Sequence, residues 1–108
     1  PIAEAMGYGK VAIATNWSGN VDFMNSENAL PVDYELITLN EDIGPYEKGQ
    51  KWAEPSIDDA ANKMKRIAED KVLATKLGKK AEQTIKSAYS PTSSGNAMSK
   101  RLVQLQKI

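Results

Sequence analysis

The chain has 108 residues, with 14 basic and 14 acidic side chains and neither Cys nor His. That length fits one domain, and a formal net charge of zero gives no global pull on nucleic acid or on an anionic membrane. Without Cys and His there is no disulfide framework, no thiol chemistry, no ordinary zinc or haem ligand set and no His-based triad or general base, which leaves only carboxylate sites for Mg or Ca.

No stretch approaches the ~20 apolar residues that span a bilayer. The opening PIAEAMGYG lacks the basic start and apolar core of a signal peptide. The chain begins on Pro1-Ile2-Ala3-Glu4 without an initiator Met, and the expectation is a processed or truncated product of a larger protein. In chain order, Ala3–Met6 reads as a helical turn closed by Gly7-Tyr8-Gly9. Lys10–Thr15 is a small apolar run with β-branched residues, expected as a strand buried on both faces. A short helical turn is expected over Val21–Met24. Leu30–Leu39 reads as one second strand with Pro31 near its start. Residues 40–51, with Gly44-Pro45 and Gly49, read as a loop, and Trp52–Glu54 as a brief extended piece before Pro55.

The second half is helical in pattern. Ser56, three residues before Asp59, reads as a capping-box-like start that uses Asp instead of Glu. Ile57, Ala60, Ala61, Met64, Ile67 and Ala68 then recur at helical spacing. Asp70 caps a second helix with inner face Leu73, Leu77, Ala81, Ile85 and Ala88, while Lys76, Lys79, Lys80 and Lys86 form its solvated side. Ser90-Pro91 opens a last helix whose apolar side is Met98, Leu102, Val103 and Leu105. The fold class is α/β: a partial Rossmann-like half-domain, with a short parallel sheet early and three helices late, treated as one domain over 1–108.

Most motif matches fail on context. Gly7-Tyr8-Gly9-Lys10 lacks the spacing and the Ser or Thr of a phosphate loop, and as a dinucleotide fingerprint it follows a helix where it should follow a strand. Asn16-Trp17-Ser18 is a formal N-glycosylation triplet, a pattern common by chance. Glu4 stands apart. It lies in the first turn of a helix leading into a strand, where helix N–H groups favour phosphate and a carboxylate suits two adjacent sugar hydroxyls. The plain alternative is a Glu that only complements the helix dipole.

The run Pro1–Thr15 resembles the P-x-x-E-A-M-A-x-G-x-P-V-I-A-T segment of retaining GT-B glycosyltransferases of the family 4 type. Asn16–Met24, Asn28–Tyr34, Trp52–Ser56 with the helices after it, and Tyr89-Ser90-Pro91 resemble later segments of that family in the same order. The resemblance implies the C-terminal part of a GT-B fold and transfer of a sugar, with retention and without metal or other cofactor, from a nucleotide-diphosphate-sugar donor to an acceptor hydroxyl. The E-A-M context belongs to the second glutamate of the family's E-x7-E pair. Glu4 would therefore hold the donor ribose. The first glutamate, the basic pair that clamps the diphosphate and the acceptor domain would lie ahead of Pro1.

No catalytic residue is therefore assigned to this chain, which is expected to be inert alone. Ile2, Ala3, Thr15 and Gly19 are further donor-binding candidates; Thr15 and the Asn16–Asn20 loop are placed near the cleft because ligands of open α/β sheets bind at the carboxyl ends of strands. Lys10 for Pro and Gly7 for Ala are mild departures. The implied partners are the nucleotide-sugar donor and an N-terminal domain of the same protein, with no nucleic acid and no transmembrane segment. The expected location is cytoplasmic, with a peripheral membrane position of the full-length protein left open. An unpaired sheet edge suggests self-association. The alternatives are a non-catalytic Rossmann-like module that binds a nucleotide or a protein, and a purely structural domain in which Glu4 only caps a helix.

Overall fold

The structure, a computed structural model, describes residues 1–107. The chain is mixed α/β: α1 (Ile2–Gly7), β1 (Ile13–Thr15), a 3-10 turn (Ser18–Asp22), β2 (Leu30–Val32), β3 (Tyr34–Thr38), β4 (Lys51–Pro55), then α2 (Ile57–Glu69), α3 (Lys71–Ala88) and α4 (Pro91–Gln106). β1 and β2 form a parallel pair in which Ile13, Ala14 and Thr15 lie opposite Leu30, Pro31 and Val32. β3 and β4 form a separate antiparallel hairpin, with Tyr34 opposite Pro55 and Thr38 opposite Lys51. The early parallel sheet and the three late helices are as the sequence leads one to expect.

The expected first strand is shorter than Lys10–Thr15, and its residues are only half-buried. β1 has a strand neighbour on one side alone among the described residues, so one edge and part of each face stay open. The expected single strand Leu30–Leu39 is two strands in two sheets. Asp33 is the break. Its N–H donates to the Asp59 carboxylate at 2.8 Å, and its carbonyl accepts from Ser56 N at 2.8 Å. Both hydrogen bonds turn the chain away from β2. The turn expected over Val21–Met24 sits earlier, at Ser18–Asp22, and is 3-10.

The helix caps follow local sequence. Ser56 Oγ accepts from Asp59 N, Asp70 Oδ1 from Leu73 N and Ser90 Oγ from Ser93 N. Each satisfies one of the free N–H groups that open a helix. The reciprocal half of the box at Ser56 is not made, because the Asp59 carboxylate is turned to Asp33 and Lys63.

The core lies between α1, the 23–32 segment and α3. Met6, Met24, Ala29, Leu30, Val32, Leu77 and Ala81 are buried there, with Leu39 buried beside the hairpin. Close approach of α1 and α3 rests on small residues. A Cβ on Gly7 would stand 3.3 Å from Ile85 Cγ2, and one on Gly78 would stand 2.2 Å from the Gly9 carbonyl oxygen. Gly9 has φ +74°, a left-handed value suited to glycine. On the inner face expected for α3, Leu73 and Ile85 are half-buried and Ala88 is exposed, because the helix extends past the elements that cover it.

The other two helices depart further from expectation. On α2 the half-buried positions are Asp59, Ala60, Lys63 and Ile67, whereas Ala61, Met64 and Ala68 are exposed and Ile57 is 78% exposed. α4 buries no residue; Met98 and Leu102 are 66% and 61% exposed, and Val103 and Leu105 are exposed too. The shape reflects this. The radius of gyration is 17.6 Å against about 13 Å for a compact chain of this length, and the thinnest dimension is 18 Å. No helix among the described residues is long and apolar enough to cross a membrane.

Candidate functional site

Ile2, Ala3 and Glu4 share the first turn of α1. Ile2 and Ala3 are half-buried. The Glu4 side chain is 84% exposed. The carboxylate is therefore solvated and available to a ligand. α1 has only six residues, so its macrodipole is small, and recognition at this end would fall to the carboxylate itself.

Thr15 ends β1, and its carbonyl is the anchor of the following turn. It accepts from Trp17 N at 2.8 Å and from Asn20 Nδ2 at 2.8 Å. Gly19 lies on that turn, exposed, with nothing within 4 Å of where its Cβ would be. Ser18 has φ +70°. A left-handed non-glycine residue costs on the order of 1–3 kcal/mol, so the rest of the turn holds it there. Thr15 and Gly19 are thus brought onto one turn. Among the described residues no hydrogen bond or ion pair links that turn to Ile2, Ala3 or Glu4.

The same turn carries a feature that the sequence reading missed. Trp17 packs on Tyr34 of β3, with ring centroids 5.2 Å apart and planes at 51°. Tyr46, from the loop joining β3 to β4, packs edge-on against Trp52 of β4 at 5.8 Å and 83°. The Trp52 indole N–H donates to Glu54 Oε2 at 2.9 Å, which fixes the ring that supports Tyr46. Thr15, Trp17, Ser18, Tyr46, Lys51 and Trp52 line an open groove of about 370 Å³ between the β1 turn and the hairpin. The available signal was an aromatic residue, Tyr46, inside an otherwise polar loop.

A second polar cluster holds the scaffold together. Lys63 Nζ donates to Asp59 Oδ2 at 2.7 Å and also to the Pro31 carbonyl. This ties α2 to the end of the parallel pair. The hydrogen bond from Lys63, then that from Asp33 N–H, holds the Asp59 carboxyl below its ordinary value of 3.8, with partial desolvation opposing and the Lys63 charge adding a smaller pull. A depressed folded-state value contributes stability above the unfolded value, and that stability is lost as pH falls through the folded one. Asp59→Asn is therefore expected to separate from the parent in urea midpoint at neutral pH, with the gap closing below about pH 3.8. A gap that persists unchanged at pH 2.5 would refute the assignment.

Searches of protein-family models, of curated proteins and of solved structures with this chain found no match. The functional reading therefore rests on the sequence resemblance and on the geometry above.

Proposed function

We propose that the chain is the nucleotide-binding part of a retaining GT-B glycosyltransferase, a Rossmann-like element in which Glu4 accepts the two ribose hydroxyls of the donor. The observation that carries this reading is the solvent-facing Glu4 carboxylate at the start of α1, inside the Pro1–Thr15 run that resembles the family. A carboxylate has the lone pairs to take both hydroxyls of a vicinal diol. Thr15 sits at the carboxyl end of a parallel strand, the side on which open α/β sheets bind ligands. Ile2, Ala3 and Gly19 would contribute backbone and shape. Stabilisation of the departing diphosphate and binding of the transferred sugar would come from groups outside residues 1–108, so the chain alone is expected to transfer no sugar.

Calorimetry of the intact protein with UDP- and GDP-sugars tests the role of Glu4. Two charge-assisted hydrogen bonds are at stake, and Glu4→Ala is expected to weaken binding about 10- to 100-fold. Its melting temperature should hardly move, because the side chain is solvated. If Glu4 only complements the helix dipole, affinity stays and stability falls by a few tenths of a kcal/mol.

One observation favours a second reading, a non-catalytic interaction module: the exposed apolar rows on α2 and α4, around Ile57, Met64, Met98 and Leu102. That reading predicts unchanged nucleotide binding in Glu4→Ala.

A further inference from the structure

We infer that the groove between the β1 turn and the β3–β4 hairpin is a saccharide-binding site that takes one pyranose ring against Trp17 and Tyr46. This goes beyond the donor-nucleotide reading and does not depend on Glu4. Four kinds of observation converge on it. The groove volume, about 370 Å³, lies at the small end of ligand pockets and suits a single ring. Its walls are aromatic and reachable: Trp17 is 43% and Tyr46 52% exposed. Both rings are braced from behind, Trp17 by Tyr34 and Tyr46 by Trp52, so binding would cost little side-chain freedom. Ser18, whose left-handed backbone is maintained at a cost, sits on the rim.

The chemistry of the rim selects the ligand. The Thr15 and Ser18 hydroxyls, the Tyr46 phenol and the Lys51 ammonium make no hydrogen bond or ion pair with other described residues. Hydroxyls donate and accept at once. That matches the alternating donors and acceptors around a sugar, while the carbon-bound hydrogens on one face of a pyranose meet the negative face of an aromatic ring. A proline-rich peptide offers the rim acceptors only and leaves the hydroxyl acceptors unanswered.

The chain has two tryptophans, Trp17 and Trp52, and both line this groove. Intrinsic fluorescence therefore reports occupancy directly. The full chain is titrated with the methyl α- and β-pyranosides of glucose, galactose and mannose, with maltose, and with a decaproline peptide. The expected result is a saturable emission change with at least one saccharide and none with the peptide. Tyr46→Ala should weaken it about three- to tenfold, and Tyr46→Phe should restore most of that loss. Ser18→Gly provides a variant that folds at least as well as the parent, since glycine accepts the left-handed backbone, and it should still bind more weakly by about threefold through loss of one rim hydroxyl. Absence of a response to every saccharide at millimolar concentration would overturn the proposal. So would a response to decaproline in place of sugars, or saccharide affinity that is the same in parent, Tyr46→Ala and Ser18→Gly. The two readings share Thr15, but calorimetry of Glu4→Ala with nucleotide sugars reads the ribose contact, which the groove lacks, so failure of one is distinguished from failure of the other.

Discussion

Gly78→Ala is expected to lower the unfolding free energy by about 3 kcal/mol or to prevent folding outright. The added methyl would lie 2.2 Å from the Gly9 carbonyl oxygen and 3.2 Å from its carbon. The obstacle is backbone, and it cannot swing aside as a side-chain tip does. Gly9 is itself held at φ +74° in the turn that closes α1, so relief requires moving α1 and α3 apart and uncovering Met6 and Ala81, both fully buried. Overpacking of this kind typically costs 1–3 kcal/mol and occasionally more. Helix propensity acts in the opposite direction, because alanine is favoured over glycine inside a helix by about 1 kcal/mol. The two effects differ in sign as well as size. A net loss read by urea denaturation supports the close α1–α3 approach, and a net gain of up to about 1 kcal/mol would show that the two elements do not meet there. A domain of this size has on the order of 5–15 kcal/mol of total stability, so the expected loss is a large share of it.

Asn28→Ala is expected to cost about 2–4 kcal/mol. Asn28 is 1% exposed, the one polar residue fully buried with the core among the described residues. Its Oδ1 accepts from Asn25 N at 2.8 Å, and its Nδ2 donates to the Phe23 carbonyl at 2.9 Å and to Thr84 Oγ1 at 3.2 Å. Alanine removes all three bonds and leaves the Asn25 N–H and the Phe23 carbonyl without their side-chain partner. Each stranded group costs about 1–3 kcal/mol. Thr84→Ala removes only the last of the Asn28 bonds, and the Thr84 hydroxyl also donates to the Lys80 carbonyl at 2.9 Å. The single variant should therefore be milder, about 1 kcal/mol, with a positive coupling to Asn28 in a double-mutant cycle. Independence of the two positions would mean that the 23–28 turn is not locked to α3 by this contact.

The parts of the molecule that were legible in the sequence are those whose cause is local. Ser56, Asp70 and Ser90 cap their helices because the bond runs from a side chain to an N–H three residues on, and nothing distant competes. Leu73, Leu77, Ala81 and Ile85 mark the inner stripe of α3 through helical spacing, and Gly7-Tyr8-Gly9 closes α1. Leu30–Leu39 was misread as one strand for the opposite reason. Its composition is continuous, and the break at Asp33 is imposed by Asp59, 26 positions further along the chain.

The candidate sites divide in the same way. Glu4 stands out in sequence because its setting is one helical turn. The aromatic groove does not, since Trp17, Tyr46 and Trp52 come from a turn, a loop and a strand that meet only when the hairpin folds back on β1.

The sequence by itself determined the α/β class, the three late helices with their caps, and a chemistry without thiol or imidazole. The tertiary structure decided which apolar faces are covered. Helical spacing reveals that α2 and α4 each have an apolar side, and Ile57, Met64, Met98 and Leu102 satisfy that pattern as well as Leu77 does. Burial, however, requires a second surface within van der Waals reach, and periodicity within one segment carries no information about its neighbours. Leu77 has such a surface in the packed segments around it; Ile57 and Met64 of α2 and Met98 and Leu102 of α4 face solvent. The same rule makes Gly78 indispensable where Gly95, with nothing within 4 Å of its missing Cβ, is only a weak point in an exposed helix.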